Sequence, residues 1–423
     1  MAEERMLITG GQRLEGAVRV SGGKNTAVAI IPAAILSQTP CVIENLPSIE
    51  DVHVSVETLQ HLGARVVWDP KEGTMEVDAS TISRTDVPLE LCRRMRASSY
   101  YIGALLARFG EASVPLPGGC NIGRRPIDQH IKGMRMLGAE VEIEGGTVVA
   151  RARNGLVGGD VFMDMVTVGG TINVMLAAAC AQGTTTIYNA AKEPHIVDTA
   201  NFLNSMGCKV KGAGTDVIRV RGVQRLASRR PYAVIPDQIE TGTLMIAAAA
   251  THGDVTICGC IPTHMEALTA KLLEMGARVD ERDDAIRVSS IGAHRAITFK
   301  TQVYPGFPTD LQQPMSALLC TATGTSTVVE NIFETRFRHL AEMERMGARV
   351  RIIEQTAVIE GVPQLHAAAV EATDLRAGAA LVIAGLMAQG TTEITNTHFI
   401  DRGYEHLEDK LSSLGAKIWR EQG

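Results

Sequence analysis

The sequence predicts a mixed α/β protein in which one α/β module is repeated six times, with three modules in each of two domains. Three observations lead to this prediction. A short glycine-containing phrase returns at intervals of about 70 residues, each copy ends an amphipathic helix, and each module also contains a helix that is almost wholly apolar. A chain of 423 residues is also longer than one ordinary hydrophobic core supports, which favours two domains.

The repeated phrase consists of Leu or Met, Gly, a small residue, one variable residue and then Val or Ile. Its glycines are Gly63, Gly138, Gly207, Gly276, Gly347 and Gly415. Before the last of them, Tyr404, Leu407, Leu411 and Leu414 are spaced three or four residues apart, so they share one helical face. A glycine directly after such a helix is typical of a left-handed C-terminal residue, and the β-branched residue that follows begins a strand.

The second helix of each module is predicted to be buried on every side, because it is apolar all round. These helices correspond to residues 27–36, 98–107, 172–181, 244–250, 315–321 and 379–388. Several of them lead into a Gly-containing turn and a strand rich in Thr and Val, as at 183–187, 324–328 and 390–394. Three such helices packed together would form the centre of each domain, with the sheets and amphipathic helices outside.

The division into domains is predicted between the third and fourth modules, near Pro231 and Pro236. Residues 24–235 then form the domain of modules one to three. The strands at 7–8 and 18–20 precede the first buried helix and would complete the other domain, so that residues 1–23 join residues 236–423. This arrangement requires the chain to cross between the domains twice.

Composition and charge argue against several classes of protein. Hydrophobic residues make up 45% and charged residues 21% of the chain, as in ordinary globular proteins, and the net charge of −6 disfavours a general nucleic-acid binder. The N-terminal residues lack the apolar region of a signal peptide, and no apolar run approaches the ~20 residues of a membrane helix. We therefore expect a cytoplasmic protein with reduced thiols that binds neither nucleic acid nor membrane. The sequence does not set the oligomeric state, for which a monomer is the expectation.

Polar side chains gather just before the predicted buried helices. They include Lys24, Asn25, Arg96, Thr167, Asp310, Asp374 and Arg376. Helix N-termini attract anions, because their free N–H groups and the helix dipole present a partial positive charge. If these N-termini converge on one cleft, the cleft would suit an anionic substrate.

Helix capping is the competing explanation for these polar residues. Taken singly, Thr167, Asp310 and Asp374 are explained by capping, which Asp and Thr commonly provide. Capping does not explain Lys24, Arg96 and Arg376, because cations are disfavoured at helix N-termini. Repeated cations at these positions therefore indicate a bound anion.

The stretch 116–126 has three glycines and two prolines around Cys120, which is typical of a mobile loop. The adjacent Arg124 and Arg125 would favour the reactive thiolate form of Cys120. The other cysteines are expected to be small buried side chains; they are Cys41, Cys92, Cys180, Cys208, Cys258, Cys260 and Cys320.

Other common site motifs are absent from the sequence. It contains no phosphate-binding loop, no zinc-binding His-Glu-x-x-His helix and no convincing dinucleotide fingerprint, so neither a metal nor another cofactor is predicted. His130 and His339 lie near candidate site residues and are expected to be structural.

Several long motifs resemble the UDP-N-acetylglucosamine 1-carboxyvinyltransferase family of enolpyruvyl transferases, and the resemblance covers essentially the whole chain. The motifs lie at 21–25, 95–98, 117–130, 193–200, 308–310, 372–377 and 400–405. The family fold that this resemblance implies is a two-domain inside-out α/β barrel with three repeats in each domain. The implied reaction transfers the enolpyruvyl group of phosphoenolpyruvate to the 3-hydroxyl group of UDP-N-acetylglucosamine, releasing phosphate, in the first committed step of peptidoglycan synthesis.

The resemblance also implies roles for individual residues. Asp310 would take the proton from the sugar hydroxyl, and Cys120 would act as a general acid or form a covalent adduct. Phosphoenolpyruvate would be held by Lys24, Arg96, Cys120, Arg125 and Arg402. The UDP-sugar would contact Asn25, Arg125, Pro126, Asp128, Thr167, Val168, Gly169, Asp310 and Ile332. Arg336 and Arg376 would line the cleft, with Asp374 as their acidic partner. Met165 stands where some family members have Lys, which puts one contact to the uridine diphosphate in question.

Three alternatives are considered at this point. A repeat scaffold with Cys120 as a redox sensor ranks last, because a scaffold gives no reason for cations at helix N-termini. A related transferase acts on shikimate 3-phosphate, but the Pro-Gly-Gly-Cys stretch at 117–120 argues against that acceptor. A regulatory paralogue that binds the UDP-sugar without turnover would not need Cys120, Asp310, Arg96 and Arg402 together.

Overall fold

The computed structural model describes residues 4–116 and 127–422. In this part of the chain the α-helices are α1 (Lys24–Ala33), α2 (Glu50–Leu62), α3 (Leu89–Arg94), α4 (Tyr100–Phe109), α5 (Asp128–Met136), α6 (Val168–Ala178), α7 (Pro194–Ser205), α8 (Gln238–Ala250), α9 (Glu266–Met275), α10 (Gln312–Leu319), α11 (Arg338–Arg345), α12 (Leu375–Met387), α13 (His398–Asp401) and α14 (Leu407–Ser413). Short 3-10 helices lie at Ala34–Leu36, Ala79–Thr81, Arg96–Ser99, Pro262–His264 and Thr309–Leu311.

The strands in the same part of the chain are β1 (Glu4–Thr9), β2 (Glu15–Arg19), β3 (Cys41–Glu44), β4 (Arg65–Asp69), β5 (Thr74–Asp78), β6 (Glu111–Pro115), β7 (Glu140–Glu144), β8 (Thr147–Arg151), β9 (Asp160–Phe162), β10 (Thr184–Tyr188), β11 (Lys209–Lys211), β12 (Val217–Arg221), β13 (Tyr232–Ala233), β14 (Asp254–Cys258), β15 (Arg278–Glu281), β16 (Ala285–Ser289), β17 (Thr298–Lys300), β18 (Thr325–Val329), β19 (Arg349–Ile353), β20 (Thr356–Glu360), β21 (Ala369–Glu371), β22 (Thr391–Thr395) and β23 (Lys417–Gln422).

The chain forms two compact units, each with its own hydrophobic core. One unit contains residues 22–116 and 127–235, and the other contains residues 4–21 and 236–422. The chain therefore passes between them at residues 21–22 and 235–236, whereas the sequence-based division has its first boundary at residues 23–24. No helix among the described residues is long and apolar enough to span a membrane.

The predicted apolar helices are confirmed as the centre of each unit. In the first unit α4 packs against both α1 and α6, and in the second α8, α10 and α12 pack against one another. In α12, for example, every residue from Arg376 to Leu386 is buried. We call these six helices the central helices. A helix with no polar face is stable only when neighbours cover all its sides, which explains why three modules group around one core.

Each central helix is followed by a strand of a small sheet. In five of the six sheets this is an inner strand, whereas β6, which follows α4, lies at the edge of a three-stranded sheet among the described residues. In the first unit the sheets have the strand orders β13-β3-β5-β4, β6-β8-β7 and β11-β12-β10-β9. In the second unit the orders are β15-β16-β14-β2, β17-β18-β20-β19 and β21-β22-β1-β23. In the sheets that have a strand parallel to the inner one, that strand lies at the edge, and the remaining strands pair antiparallel, as in β17–β18 and β18–β20.

The N-terminal strands complete sheets whose other strands come from the second half of the chain. Strand β1 pairs antiparallel with both β22 and β23. It lies between them and so completes the sheet of the sixth module. Strand β2 pairs parallel with β14 of the fourth module. In the other unit the late strand β13 pairs parallel with β3 of the first module. The sheet partners of residues 4–21 therefore come from residues 236–422.

The six glycines of the repeated phrase all have positive φ, between 88° and 103°. This confirms the predicted left-handed C-terminal residues, and the reason is steric, because only glycine adopts this conformation without strain. After Gly276, for example, the chain turns directly into β15, and the N–H of Ala277 donates to the carbonyl of Leu272 at 3.0 Å.

A buried ion pair anchors the segment that leads out of the second unit at Ser21. Lys410 Nζ contacts the Glu240 carboxylate and lies 2.5 Å from Ser21 Oγ. The backbone N–H of Ser21 donates to Glu240 Oε2 at 3.1 Å, and its hydroxyl donates to Glu405. Burial raises the pKa of Glu240, although the charge of Lys410 acts in the opposite direction. Ser21 is thereby fixed to both α8 and α14.

A matching anchor lies in the first unit, where Asp198 of α7 binds the segment before residue 236. Tyr232 donates its hydroxyl to Asp198 Oδ1 at 2.5 Å, and the backbone N–H of Ile235 donates to Oδ2 at 3.1 Å. Burial raises the pKa of Asp198. In each unit, therefore, a buried carboxylate fixes the chain where it leaves that unit.

We expect Gly276→Ala to lower the free energy of unfolding by about 1–2 kcal/mol, the usual cost of a left-handed conformation for an L-residue. No atom lies within 4 Å of the added methyl group, so the effect reports conformation alone. Urea unfolding followed by circular dichroism measures it. The control is Gly159→Ala, which has ordinary φ and space for a methyl group; an equal loss in both variants would contradict the explanation.

We expect Lys410→Met to lower the free energy of unfolding by about 3–5 kcal/mol, because it leaves the buried Glu240 carboxylate without its cation. The double variant Lys410→Met/Glu240→Gln should recover most of this loss, since an amide needs no counter-charge and can still accept from Ser21. Urea unfolding of the two variants and the unaltered protein gives the comparison. Equal destabilisation of the single and double variants would show that lost packing, and not charge, is the cause.

Candidate active site

The unit of residues 4–21 and 236–422 holds a carboxylate between two arginines. Arg336 Nη2 lies 2.7 Å from Asp310 Oδ1, and Arg376 Nη2 lies 3.0 Å from Asp310 Oδ2. The arginine side chains are only 2% and 3% exposed, whereas that of Asp310 is 26% exposed. The two guanidinium groups stabilise the ionised carboxylate, which still presents accessible surface to a substrate.

The predicted capping role of Asp310 is wrong. Asp310 lies within the 3-10 helix Thr309–Leu311, and neither this helix nor α10 has a side-chain cap. Capping is correct for Thr167, which accepts from Gly170 N at the start of α6, and for Asp374, which accepts from Arg376 N and Ala377 N at the start of α12. The arginines compete successfully for the Asp310 carboxylate because each offers charged donors.

The predicted pairing of Asp374 with the arginines is also corrected. Its Oδ1 accepts two backbone N–H groups of α12, and its Oδ2 accepts from Gln313 Nε2 at 3.2 Å. No ion pair of Asp374 is present among residues 4–116 and 127–422. The Asp374 carboxylate caps α12, and the acidic partner of Arg336 and Arg376 is Asp310 instead.

Arg376 is held as a cation deep in its unit. Its guanidinium carbon lies 5.2 Å from the centre of the Tyr404 ring. Burial by itself lowers the pKa of Arg376, but Tyr404 and Asp310 raise it, and the net pKa is raised. Within the described part of the chain, Arg376 Nη1 and Arg336 Nε are buried without a hydrogen-bond partner.

The two histidines near the site are buried and neutral, as expected of structural residues. Burial lowers the pKa of His339 to about 3 and that of His130 to about 4. For His130 the hydrogen bonds also determine the tautomer. Asn173 Oδ1 accepts from Gly103 N at 2.7 Å, so its amide group must donate to Ser99 O and to His130 Nδ1. The proton of the neutral His130 ring is therefore on Nε2.

In the other unit, Lys24 is the first residue of central helix α1. Lys24 Nζ lies 2.9 Å from Asp51 Oδ2, and the Asp51 side chain is only 2% exposed. Asn25 follows in the first turn of the same helix and is partly buried. The carboxylate of Asp51 thus supplies the counter-charge that the helix terminus does not.

Arg96 begins the 3-10 helix that leads into central helix α4. Its side chain is partly buried, and within the described residues its Nη1 is buried without a hydrogen-bond partner. Of the three cations at helix starts, Lys24 and Arg376 are therefore compensated by carboxylates of the chain. For those two, a bound anion is not needed to explain the cation, whereas for Arg96 no such carboxylate is present among the described residues.

Thr167, Val168 and Gly169 form the start of central helix α6. A side chain at Gly169 would collide with His130, whose Nε2 would lie 2.8 Å from an added Cβ. Asp128 is the first residue of α5, and its Oδ2 accepts from Gln129 Nε2 at 2.8 Å. The close approach of the His130 ring explains why glycine is needed at 169. Met165, just before this turn, is exposed.

Two remaining candidates belong to the unit of residues 4–21 and 236–422. Ile332 is an exposed apolar residue in the turn after β18. Arg402 directly follows α13 and is partly buried. Cys120, Arg125 and Pro126 lie outside the described residues.

The other cysteines are free thiols, and five of the seven are buried as expected. For Cys180 and Cys258 the expectation is wrong in part, because both are partly exposed. Cys180 lies just after the end of α6, and Cys258 is the last residue of β14. At both positions neighbouring residues cover the side chain only in part. Among the described residues, no group of three or more His, Cys, Asp or Glu side chains could hold a metal ion.

Four residues that hold the candidates in place had no role assigned from the sequence: Asp51, Asn173, Thr309 and Glu330. Asn173 had a signal, because it is a polar residue in an otherwise apolar helix. Asp51 had none, since an acidic residue in the first turn of a helix is ordinary. Glu330 follows a strand in a polar turn, and only the structure reveals that it is fully buried.

Known proteins are similar to this chain over nearly its whole length. The family model described as EPSP synthase (3-phosphoshikimate 1-carboxyvinyltransferase) matches residues 8–411. A UDP-N-acetylglucosamine 1-carboxyvinyltransferase of Clostridium botulinum is 56% identical over 417 residues, 98% of this chain and 99% of that protein. A UDP-N-acetylglucosamine 1-carboxyvinyltransferase 2 of Geobacillus kaustophilus is 53% identical over 99% of this chain and 97% of that protein.

Solved structures agree on the architecture. The enolpyruvyl transferase NikO of Streptomyces tendae has a TM-score of 0.89 and 28% identity, with all of both chains covered. An EPSP synthase of Acinetobacter baumannii has a TM-score of 0.77 over 99% of this chain and all of that one, and its 18% identity supports the fold alone. The predicted fold class is thereby confirmed. This chain belongs to the UDP-N-acetylglucosamine 1-carboxyvinyltransferase family of enolpyruvyl transferases.

Proposed function

We propose that this protein transfers the enolpyruvyl group of phosphoenolpyruvate to the 3-hydroxyl group of UDP-N-acetylglucosamine and releases phosphate, the first committed step of peptidoglycan synthesis. The observation that carries the proposal is the Asp310 carboxylate held between Arg336 and Arg376. It occurs in a chain 56% identical, over nearly its full length, to a relative named for this transfer.

The reaction is an addition followed by an elimination. The CH₂ carbon of phosphoenolpyruvate gains a proton while the sugar oxygen bonds to the neighbouring carbon, which gives a tetrahedral intermediate. Phosphate then leaves as the new methyl group loses a proton and the double bond re-forms. Negative charge is concentrated on the carboxylate and phosphate oxygens, so fixed arginines and lysines are the groups expected to stabilise it.

Asp310 is assigned as the base that accepts the proton of the sugar hydroxyl. Its carboxylate is partly exposed, and it accepts from Arg336 at Oδ1 and from Arg376 at Oδ2. Between two cations it is a weak base. The hydroxyl proton becomes acidic only as the new C–O bond forms, so transfer at that stage does not require a strong base.

Lys24, Arg96 and Arg402 are assigned to phosphoenolpyruvate and its phosphate, together with Cys120 and Arg125 from outside the described residues. The buried, unsatisfied Nη1 of Arg96 supports this assignment, because such a donor gains a partner when an anion binds. Cys120 is assigned as general acid or covalent partner. No cofactor takes part in the proposed reaction.

The UDP-sugar is assigned to Asn25, Asp128, Thr167, Val168, Gly169, Asp310 and Ile332, with Arg125 and Pro126. The position of Thr167, Val168 and Gly169 at the start of α6 supports this assignment, since a helix N-terminus attracts anions. Arg336, Arg376 and Asp374 complete the proposed set.

We expect the protein to release phosphate from phosphoenolpyruvate only when UDP-N-acetylglucosamine is present, with no release when shikimate 3-phosphate replaces it. Fosfomycin, an epoxide expected to alkylate Cys120, should abolish the release. A phosphate assay over time measures both effects. Release with shikimate 3-phosphate alone would contradict the proposed acceptor. Binding of the UDP-sugar without release would favour a non-catalytic paralogue, and release that survives fosfomycin would contradict the role of Cys120 alone.

We expect Asp310→Asn to lower kcat by about 10²- to 10⁴-fold, the usual contribution of a general base. The amide preserves the shape of the side chain but cannot take up the proton. Steady-state kinetics with both substrates measures the loss, and a thermal melt checks that the variant is folded. The control is Asp409→Asn on α14, where the carboxylate is exposed. A folded Asp310→Asn variant with the activity of this control would overturn the assignment.

A further inference from the structure

Glu330 is a fully buried carboxylate that has no cationic partner among the residues that the structure describes. It directly follows β18, and its own N–H donates to Gln355 O at 2.8 Å. A buried charge without a cation is costly unless hydrogen bonds satisfy it. Hydrogen bonds from neighbouring residues offset this cost.

Hydrogen bonds to both oxygens satisfy the Glu330 carboxylate. Oε1 accepts from Thr301 Oγ1 at 2.8 Å, from Ile332 N at 2.9 Å and from Phe333 N at 3.1 Å. Oε2 accepts from Thr309 Oγ1 at 2.9 Å. The carboxylate therefore holds together the end of the β17 strand, the turn at 332–333 and the segment that precedes Asp310.

The direction of the hydrogen bonds at Thr309 follows from the chemistry of arginine. Arg336 Nη1 lies 2.7 Å from Thr309 Oγ1, and a guanidinium group can only donate. Thr309 Oγ1 must accept this bond, so its single proton is free to donate to Glu330 Oε2. The result is a directed chain in which Arg336 donates to Thr309 and Thr309 donates to Glu330.

This chain fixes the guanidinium group that holds the proposed base. Arg336 contacts Asp310 through Nη2 and Thr309 through Nη1, and its guanidinium carbon lies 5.1 Å from the centre of the Phe333 ring. The N–H of Phe333 is itself bound by Glu330. Glu330 thus constrains Arg336 from two sides, through Thr309 and through Phe333.

We propose that Glu330 is a positioning residue for the transfer reaction, which acts through the Thr309 hydroxyl to set the orientation of the Arg336–Asp310 pair. The inference rests on the proposed function, because that function makes Asp310 the base of the transfer reaction. Glu330 itself does not touch the substrate. Its carboxylate accepts hydrogen bonds from three segments and so keeps Arg336 in the one geometry that serves Asp310.

The test compares Thr309→Val, Thr309→Ser and Glu330→Gln. Valine has the shape of threonine but removes the relay, whereas serine keeps the hydroxyl. In Glu330→Gln, three donors still require the oxygen at the Oε1 position, so the amide nitrogen faces Thr309 and the relay is disrupted. The control is Thr251→Val, another buried threonine of the same unit, whose hydroxyl donates to Ala247 O at the end of α8.

We expect Thr309→Val and Glu330→Gln to lower kcat about 10- to 100-fold with little change in KM, since a misplacement of about 1 Å costs that much. Thr309→Ser and Thr251→Val should retain the kcat of the unaltered protein. The acidic limb of the kcat–pH profile should also move to higher pH in the two impaired variants, because a carboxylate that loses a well-placed cation binds its proton more tightly.

The outcomes separate this inference from the proposed function. If the unaltered protein releases no phosphate with these substrates, the proposed function fails. If it is active and the two variants match Thr251→Val in kcat, the positioning role is overturned and the function stands. Loss of kcat in Thr309→Ser as well, or an unmoved pH profile, would also overturn it. Glu330→Gln, which keeps the size of the side chain, supplies the comparison if Thr309→Val does not fold.

Discussion

The structure depends on one constraint: a helix that is apolar on every side must be covered on every side. No single module can cover its own central helix, so three modules share one core in each unit. In the central helices the charged residues lie near the ends. Several candidate site residues lie near such ends, at the starts of α1, α6 and α12 and in the short helices before α4 and α10.

Cations at these helix starts are unfavourable on their own, and the protein offsets them locally. Asp51 pairs with Lys24 and Asp310 pairs with Arg376, each with the cation largely buried. Such pairs rarely add net stability, because desolvation of both charges opposes their attraction. These local counter-charges account for Lys24 and Arg376 without a bound anion. Arg96 differs, because its buried Nη1 has no partner among the described residues and would gain one from a bound anion.

Neutral and polar neighbours keep these charges in fixed positions. Asn173 fixes the tautomer of His130 beside Gly169, and Glu330 satisfies its own charge with hydroxyl and backbone donors while it orients Arg336 through Thr309. Similar buried carboxylates, Glu240 and Asp198, anchor the chain where it leaves each unit. Rigid placement of this kind allows charged groups to act without reorganisation during a reaction.

The sequence by itself determined the repeat, the central helices and the left-handed glycines, because apolar periodicity and glycine sterics act over a few residues. Motif resemblance indicated Lys24, Asp310 and Arg376 as site residues. Only the tertiary structure decided which carboxylate pairs with which arginine or lysine. Asp310 and Asp374 both precede a central helix and look equivalent in sequence, yet one binds two arginines and the other caps α12. Residues 26 and 66 positions away from Asp310 make that difference, and no local pattern encodes contacts over such distances.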